Sequence, residues 1–305
     1  MSDTLKVLVA YDGSECAEKA LEDLNRAGLP NENVEVLLME VAEVWLPPEN
    51  ISDVPEPPNF ITEAVHKKIL KNQQVLTEAA LSVQEAGKKL GQTFPNWTVK
   101  AKATYGSPAW EVLFRADEFK PDLIVVGSHG RSMLGRIWLG SVSQKIVVEA
   151  NCSVRVTRGN IKPAHHPVKL ILGYDGTKGA EEALRVITNR IWSAGSEVRV
   201  VMVEDDFIIQ EAFAFERDVF EKVGLEVVAK LEKAGLKAEL VILQGNPKHE
   251  IVSEAEKFEA DCIYLGATKF DNKMERFLLG SVSSAITARA HCSVEVVRPN
   301  YYLSE

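Results

Sequence analysis

The chain has 305 residues, of which 46% are hydrophobic and 26% are charged, and its formal net charge is −9. The composition is typical of a globular protein, and the length favours two domains of about 150 residues over one. The acidic balance argues against binding to nucleic acid or to an anionic membrane surface. The first apolar run covers only Val7–Ala10. It is too short for a signal peptide or a membrane span, so we expect no membrane insertion and a cytoplasmic location.

Strands alternate with helices through the first half of the chain, as judged from the periods of the apolar residues. The predicted strands are Lys6–Ala10, Val34–Val41, Trp97–Tyr105, Asp122–Val126 and Ser153–Arg158. The predicted helices are Cys16–Arg26, Thr62–Leu90, one that begins at Pro108 behind the N-cap Ser107, and one that follows Gly140. Five strands in such alternation predict an α/β fold with a parallel, doubly wound sheet. A sheet of this kind binds ligands at the carboxyl ends of its strands, where the strand order reverses.

Two segments between the second and third strands need separate interpretation. The long helix carries an apolar stripe that predicts a face packed on the core, formed by Val65, Ile69, Leu76, Ala80 and Val83. Before it, Leu46–Phe60 contains five prolines in fifteen residues. A proline content this high excludes a regular helix or a central strand, so this segment is either a flexible loop or a segment that covers another part of the molecule.

The second half of the sequence repeats the first. LKVLVAYDGSECAEKALEDL (5–24) aligns with VKLILGYDGTKGAEEALRVI (168–187), and three later blocks, at 104–113, 119–130 and 139–158, align with 243–252, 258–269 and 279–298. Four blocks in the same order indicate a tandem duplication. We expect domains at 1–158 and 168–305, joined by a linker at 159–167 whose His165 and His166 are solvated. The pair Ser107–Pro108, an N-cap residue followed by proline at the first helical position, recurs as Asn246–Pro247.

The four cysteines are widely spaced and form no motif. Cys16, Cys152, Cys262 and Cys292 lack the spacing of a metal site or of a disulfide framework. We therefore expect buried or half-buried thiols and no metal ligands.

The stretch GSHGRSMLGRIWLGSVS, residues 127–143, joins the fourth strand to a helix. Gly127 and Gly130 allow backbone conformations that a side chain would block, with amides free to face an anion. Gly140 comes just before a helix, whose free amides and dipole favour phosphate. Hydroxyls and positive charge are supplied nearby by Ser141, Ser143, Arg131 and Arg136. The glycines fit a phosphate cradle and also fit tight turns and close helix packing. No Walker loop and no GxGxxG fingerprint occurs.

The spacing Gly127-x2-Gly130-x9-Gly140-Ser141 resembles the G-x2-G-x9-G-[S/T] pattern of ATP-binding universal stress proteins. KVLVAYDGSECAEKAL at the start of the first copy and NCSVRVTR at its end are similar to that family as well. The resemblance covers both copies. It implies two tandem Rossmann-like domains of the adenine nucleotide alpha hydrolase-like type, each with a five-stranded parallel sheet.

The resemblance also implies a site for ATP, with or without Mg²⁺, at the switch point of the first copy. Asp12 would contact the adenine or ribose, with the backbone of Ala10 nearby, and Val41 would line the adenine. Gly127 and the loop Ser128–Arg131 would hold ribose and phosphates, and Gly140–Ser143 would bind phosphates through amides and hydroxyls. The implied binding residues are Ala10, Asp12, Val41, Gly127, Ser128, His129, Gly130, Arg131, Gly140, Ser141, Val142 and Ser143. His129 is interpreted as a backbone contact, and no catalytic residue is assigned.

The second copy departs from this pattern. It keeps Asp175, Gly266, Gly280 and Ser281, but Lys269 replaces the second glycine and the following spacing is ten residues instead of nine. The residue equivalent to Val41 is Val203 if the alignment slips by one position. Loss of the glycine predicts a closed or weakened site, and the alternative is that Lys269 supplies a charge to a phosphate.

Three functions remain open from the sequence. The first is a nucleotide-dependent regulatory or stress-response protein with an unnamed protein partner. The second is a slow ATPase, for which the loop lacks an acidic residue to hold Mg²⁺ and a positioned base. The third is a scaffold that needs no nucleotide. The resemblance further implies that SVRVTR (153–158) and SVEVVR (293–298) pair within one chain as an internal pseudo-dimer. A homodimer of two chains is compatible with this pairing.

Overall fold

The structure is a computed structural model that describes residues 4–46, 62–130, 139–204, 213–267 and 279–299. The first half contains β1 (Leu5–Tyr11), α1 (Glu15–Asp23), β2 (Val34–Ala42), α2 (Thr62–Thr93), β3 (Thr98–Tyr105), α3 (Pro108–Phe119), β4 (Leu123–Gly127), α4 (Ser141–Glu149) and β5 (Ser153–Thr157). The second contains β6 (Lys169–Gly173), α5 (Lys178–Thr188), β7 (Glu197–Glu204), α6 (Phe213–Lys233), β8 (Lys237–Gln244), α7 (Pro247–Phe258), β9 (Cys262–Gly266), α8 (Ser281–Arg289) and β10 (Ser293–Val297). None of the helices within these ranges is long and apolar enough to cross a membrane.

All ten strands form one sheet in the order β3-β2-β1-β4-β5-β10-β9-β6-β7-β8. Every neighbouring pair is parallel except β5 with β10, which is antiparallel. Each half is therefore a five-stranded parallel sheet, and its strand order reverses between its first and fourth strands. The predicted fold class is confirmed. Ligand sites of such sheets are expected at this reversal, which lies between β1 and β4 in the first half.

Two helical layers cover the two faces of the sheet. Side chains of α1 and α2 pack on one face of the first half, in a core that also contains β1 and β2 residues. Side chains of α3, α4, α7 and α8 belong to one core cluster, so these four helices cover the other face across both halves. As a result α1 and α4 approach the carboxyl ends of β1 and β4 from opposite sides of the sheet.

The helices begin at the residues that capping chemistry predicts. Ser14 is the N-cap of α1, and its side chain accepts a hydrogen bond from the amide of Ala17. Ser107 and Asn246 are the N-caps of α3 and α7, each followed by proline in the first turn, as predicted. The Asn246 side chain accepts a hydrogen bond from the amide of Lys248, whereas Ser107 makes no side-chain capping bond.

The apolar stripe of α2 is buried along only part of its length. Val83 is fully buried, Leu76 and Ala80 are half-buried, and Val65 is 43% exposed. The prediction of a core-facing stripe is therefore wrong at the start of the helix. A helix of 32 residues is about 48 Å long, whereas the neighbouring eight-residue strand β3 spans about 27 Å. The first turns consequently extend beyond the sheet. Of the proline-rich segment, only Leu46 lies within the described residues. The prediction that this segment is either a loop or a cover therefore concerns residues outside the described ones.

The linker between the repeats is partly anchored. His165 and His166 are exposed, as predicted, and their rings meet edge to face at 4.5 Å between centroids. The guanidinium of Arg26 donates hydrogen bonds to the carbonyls of Pro163, His166 and Pro167. The linker backbone is thereby held against the 3-10 turn Leu24–Arg26 that follows α1, while its imidazoles remain in solvent.

The two halves meet at β5 and β10. Val154, Arg155 and Val156 pair with Val296, Glu295 and Val294, respectively. The predicted pairing of the last strands within one chain is thus confirmed, and it gives hydrogen-bond partners to two edges that would otherwise be open to association.

The arginine after each last strand reaches into the other half. Arg158 donates to the carbonyls of Ala288 and Ala290 at the end of α8, and Arg298 donates to those of Cys152 and Val147 at the end of α4. Positive charge is favourable at a helix carboxyl terminus. Burial lowers the pKa of Arg298 to about 10. Each half therefore caps a helix of the other.

Candidate functional site

The turn after β1 presents a carboxylate at the edge of the sheet. Asp12 Oδ1 accepts a hydrogen bond from the Ser14 amide at 3.0 Å, and Gly13 between them adopts a positive φ of 70°. This turn directs the chain from β1 into α1. Ala10, two residues earlier, is aligned with Met39 of β2 and Val126 of β4, so Asp12 follows a strand that lies between two neighbours.

Gly127, at the end of β4, is required by close packing. A Cβ atom at this position would lie 2.9 Å from the carbonyl carbon and oxygen of Cys16 in the first turn of α1. Gly127 is not among the described glycines with positive φ. Of the roles that the sequence left open for Gly127, close helix packing is therefore the one observed, because a side chain here would collide with the backbone of α1.

Gly130 brings the loop after β4 against Asp12. A Cβ atom on Gly130 would lie 2.9 Å from Asp12 Oδ2. Like Gly127, it does not have a positive φ, but the atom that its Cβ would meet is the end of a side chain and not backbone. The two residues are far apart in the sequence, and the fold places them together at the switch point between β1 and β4.

The start of α4 forms the third side of the site. Gly140 is the N-cap, with φ −63° and ψ 152°, and its amide donates to the Ser128 carbonyl at 2.8 Å. No side chain caps this helix in the described part of the chain. The amides of Ser141, Val142 and Ser143 are in the first turn, where a helix offers no internal acceptor. This geometry fits an anion such as a phosphate.

Two of the expected phosphate donors have other roles. The Ser143 hydroxyl donates to the carbonyl of Gly127 at 2.7 Å, and the side chain is buried. The Gly140 amide is engaged by Ser128. Both bonds fix α4 against the end of β4. The expectation that these two groups face phosphate is therefore corrected, and the amides of Ser141–Ser143 with the Ser141 hydroxyl remain as candidate donors.

His129 lies between the loop and α1. Its Nδ1 atom is 2.8 Å from Ser128 Oγ and 4.0 Å from Cys16 Sγ. Cys16 was not predicted from the sequence as a site residue. The signal that would have identified it is its position in the first turn of the helix that follows Asp12, because that turn must lie beside the end of β4.

The other predicted residues lie as follows. The β1–β2 register pairs Tyr11 with Glu40, so Val41 lies beside the point where β1 ends. Val41 is half-buried and packs against the core on the α3 and α4 face. Arg131 lies outside the described residues. Within the ranges that the structure covers, no group of three or more His, Cys, Asp or Glu side chains is placed to hold a metal ion.

The second half has the same turn with a different environment. Asp175 accepts hydrogen bonds from the amide and hydroxyl of Thr177. Gly179 replaces Cys16, and α5 packs so closely that a Cβ on Gly266 would lie 2.0 Å from the Gly179 carbonyl carbon. Ala267 replaces Ser128, so the hydroxyl next to the loop is lost. Lys269, the residue on which the two interpretations of this copy depend, lies outside the described residues.

Cys16 is expected to be the one thiol that reacts in the folded protein. It is half-buried, whereas the other three cysteines are buried. Burial raises the pKa of the Cys152 and Cys292 thiols to about 12 and that of Cys262 well above its usual value. Since the thiolate is the reactive form, Ellman's reagent should titrate one thiol per native chain and four after denaturation. Cys16→Ser should abolish the native reaction, and a different native count would contradict this assignment.

Comparisons with known proteins agree with this architecture. The model of the universal stress protein family matches the chain twice, at residues 4–158 and 168–298. A universal stress protein of Methanocaldococcus jannaschii is 32% identical over 139 residues, which are 43% of this chain and 81% of that protein. One from Mycobacterium bovis is 26% identical over 316 aligned positions, covering 96% of both chains. The crystal structure of a universal stress protein from Archaeoglobus fulgidus superposes with a TM-score of 0.59 at 21% identity, covering 98% of each chain. The chain is therefore a member of the universal stress protein family with two tandem copies of the family's domain.

Proposed function

We propose that this chain is a nucleotide-dependent regulatory protein whose first half binds one ATP between the ends of β1 and β4 and the start of α4. The observation that carries the proposal is that Gly130 lies beside the Asp12 carboxylate, near the amino terminus of α4, which no side chain caps in the described part of the chain. It brings a carboxylate for hydroxyl groups and a set of amides for phosphates to one edge of the sheet. The spacing of Gly127, Gly130, Gly140 and Ser141 supports the same ligand through its resemblance to the ATP-binding motif of the family.

The proposed orientation follows from the charges. Anionic phosphates are favoured at the amides of Ser141, Val142 and Ser143, where the helix dipole is positive. A carboxylate repels phosphate and accepts hydrogen bonds from ribose or adenine, so Asp12 suits the nucleoside end. Val41 supplies an apolar surface at the end of β2 for the base. In the second half, the tighter packing of α5 against Gly266 supports a weaker site.

A regulatory function is favoured over rapid ATP hydrolysis because Asp12 lies at the nucleoside end of the proposed site. Phosphoryl transfer needs metal ligands and a base beside the γ-phosphate. Asp12 follows β1, its Oδ1 holds the Ser14 amide, and its proposed contacts are at the other end of the nucleotide. Nucleotide occupancy would instead alter the surface offered to an unnamed protein partner.

Stoichiometry tests the proposal. The protein is purified without added nucleotide and denatured, and the released small molecules are measured by chromatography with mass spectrometry. The protein stripped of ligand is then titrated with ATP, ADP and AMP by calorimetry. We expect one adenine nucleotide per chain, released or bound on titration, and negligible turnover. No release and no binding heat would refute the proposal in favour of a scaffold, whereas rapid turnover would favour an ATPase.

A further inference from the structure

A cavity of about 400 Å³ lies where the linker meets both halves of the chain, and we call it the linker cavity. Its wall combines residues 159–162 of the linker, the end of α1 with the turn that follows it, the end of α7 and the turn before β10. Among the described residues, none that is proposed for the nucleotide lines this cavity. Its volume lies within the range of small-molecule sites.

Arg158, in the wall of this cavity, has one edge of its guanidinium without a partner. Its Nη1 atom donates to the carbonyls of Ala288 and Ala290, whereas Nε and Nη2 are buried and have no hydrogen-bond partner among the described residues. Nε and Nη2 form an edge that can bind a carboxylate or phosphate through two parallel hydrogen bonds. Arg155 uses the same edge for the two oxygens of Asp23, at 2.7 and 3.0 Å.

The equivalent arginine of the second copy is bonded more completely. Arg298 donates to the carbonyls of Cys152 and Val147 through both Nη atoms, so only its Nε lacks a partner in the described part of the chain. The linker cavity contains a third buried nitrogen without a described partner, Nδ1 of His291. Buried polar atoms of folded proteins nearly always have partners. Three such atoms on Arg158 and His291 therefore point to a polar ligand.

Positive charge exceeds negative charge on the inner wall. Asp261 is the counterion of both Arg26 and Lys162, with 2.9 Å between the charged atoms of each pair. Arg158 forms no ion pair with a described carboxylate, and burial lowers its pKa. Three cations thus share one carboxylate. Since a buried charge is costly unless an opposite charge compensates it, an anion bound here would stabilise the fold.

The remaining titratable groups of the wall do not reverse this balance. Asp23 is paired with Arg155, and burial raises the pKa of the Cys292 thiol to about 12, which keeps it uncharged. Glu256 and Glu259 are exposed, so solvent screens their charges. These two carboxylates still repel a ligand with many negative charges. The wall therefore suits a small anion with one or two charges and not a nucleoside triphosphate.

We propose that the linker cavity binds a small organic anion whose carboxylate or phosphate group accepts hydrogen bonds from Nε and Nη2 of Arg158, in a wall that also carries Lys162 and His291. Arg158 follows the last strand of the first copy, His291 precedes the last strand of the second, and Lys162 belongs to the linker. The ligand would consequently join all three parts of the chain. The proposal does not depend on nucleotide binding.

The test is thermal unfolding of the full chain in Tris chloride with succinate or inorganic phosphate up to about 20 mM, at constant ionic strength. We expect a saturable rise of the unfolding midpoint with a Kd of about 1 mM or below. The uncharged analogue succinamide should have no effect. The stronger of the two responses identifies a carboxylate or a phosphate as the preferred group. Arg158→Lys keeps the charge near α8 but lacks the planar edge, so it should weaken binding at least about tenfold.

Two further variants test the charge of the wall and keep the proposal falsifiable if Arg158→Lys does not fold. Lys162→Gln removes a partly exposed cation and should weaken binding severalfold. Glu256→Gln/Glu259→Gln removes exposed carboxylates and should strengthen it, with little effect on the midpoint without ligand. Unchanged affinity in both variants would contradict the proposal.

Matched controls locate the anion. Arg298→Lys makes the same change at the equivalent arginine, and Gly140→Asp blocks the amides of α4, so both should bind the anion as the unmodified chain does. The proposal is overturned if neither anion gives a saturable shift, or if folded Arg158→Lys binds as well as the unmodified chain. Binding that is lost in Gly140→Asp and retained in Arg158→Lys would also overturn it, because the anion would then occupy the amino terminus of α4.

Discussion

Replacing Gly140 with Asp is expected to weaken ATP binding about tenfold to hundredfold without destabilising the fold. Gly140 has φ −63° and ψ 152°, a conformation that any residue adopts, and a Cβ there would be 3.4 Å from the Ser128 carbonyl oxygen, an ordinary contact. Asp is a favoured N-cap, whose carboxylate accepts hydrogen bonds from the first-turn amides. The new side chain would thus occupy the amides proposed for phosphate. Contacts of amides with a charged group are worth about 1.5–3 kcal/mol, which corresponds to this loss of affinity.

Two control variants separate the carboxylate from other effects. Gly140→Ala adds the same Cβ without a charge and should bind ATP nearly as well as the unmodified chain. Gly280, the N-cap of α8, has φ −60° and ψ 153°, so Gly280→Asp introduces the same cap in the second half. It should leave the single binding event unchanged. Calorimetric titration gives the affinities, and thermal unfolding without ligand should show Gly140→Asp at least as stable as the parent. Equal affinity in folded Gly140→Asp would show that phosphate does not bind at α4.

The candidate site in the first half of the chain was largely predictable, because its residues lie at the ends of predicted strands and helices. Asp12 follows β1 and Gly140 precedes α4, so the parallel topology alone brings them to one edge of the sheet. The sequence offered close packing as one of several roles for the glycines at 127 and 130, but it could not choose among those roles. Their neighbours, the Cys16 backbone and the Asp12 carboxylate, are distant in sequence and are known only once α1 is docked.

The hydrogen bonds within the candidate site could not be predicted from the sequence either. A serine hydroxyl at the start of α4 serves a phosphate or a neighbouring strand equally well, and the choice depends on its distance from the Gly127 carbonyl. The exposed start of α2 was missed for a similar reason. Helical period identifies the apolar face but does not tell how far the sheet beneath it extends.

The seam between the halves offered one signal that the sequence analysis did not use. Arg155 and Glu295 occupy the same position of the two repeats, in strands that are otherwise mostly apolar. Opposite charges at equivalent positions of a repeat suggest that the two positions face each other, and the register of β5 and β10 pairs them. Asp23, the last residue of α1, and Arg190, which follows α5, belong to the same network and are recognised only in the folded chain.

Replacing Glu295 with Leu is expected to lower the free energy of unfolding by about 3–5 kcal/mol, the usual cost of breaking a buried ion pair. Glu295 is fully buried and contacts Arg155 at 3.1 Å and Arg190 at 2.5 Å. Arg155 also contacts both carboxylate oxygens of Asp23, at 2.7 and 3.0 Å. Negative and positive charges therefore alternate from Asp23 and Arg155 in the first half to Glu295 and Arg190 in the second. Removing Glu295 leaves Arg190 without its carboxylate and Arg155 with one instead of two. Urea unfolding followed by circular dichroism measures the loss.

The exposed cross-strand pair of Glu35 and Lys100, 2.7 Å apart, provides the matched control. Glu35→Leu should cost less than about 1 kcal/mol, because solvent screens a surface pair. Arg190→Leu/Glu295→Leu removes both members of one buried pair and should cost less than the sum of its single variants, because neither charge is then left alone. If Glu295→Leu cost no more than Glu35→Leu, the charge network would contribute nothing to joining the halves. The halves would then be joined by the pairing of β5 with β10 and by Arg158 and Arg298, each of which caps a helix of the other half.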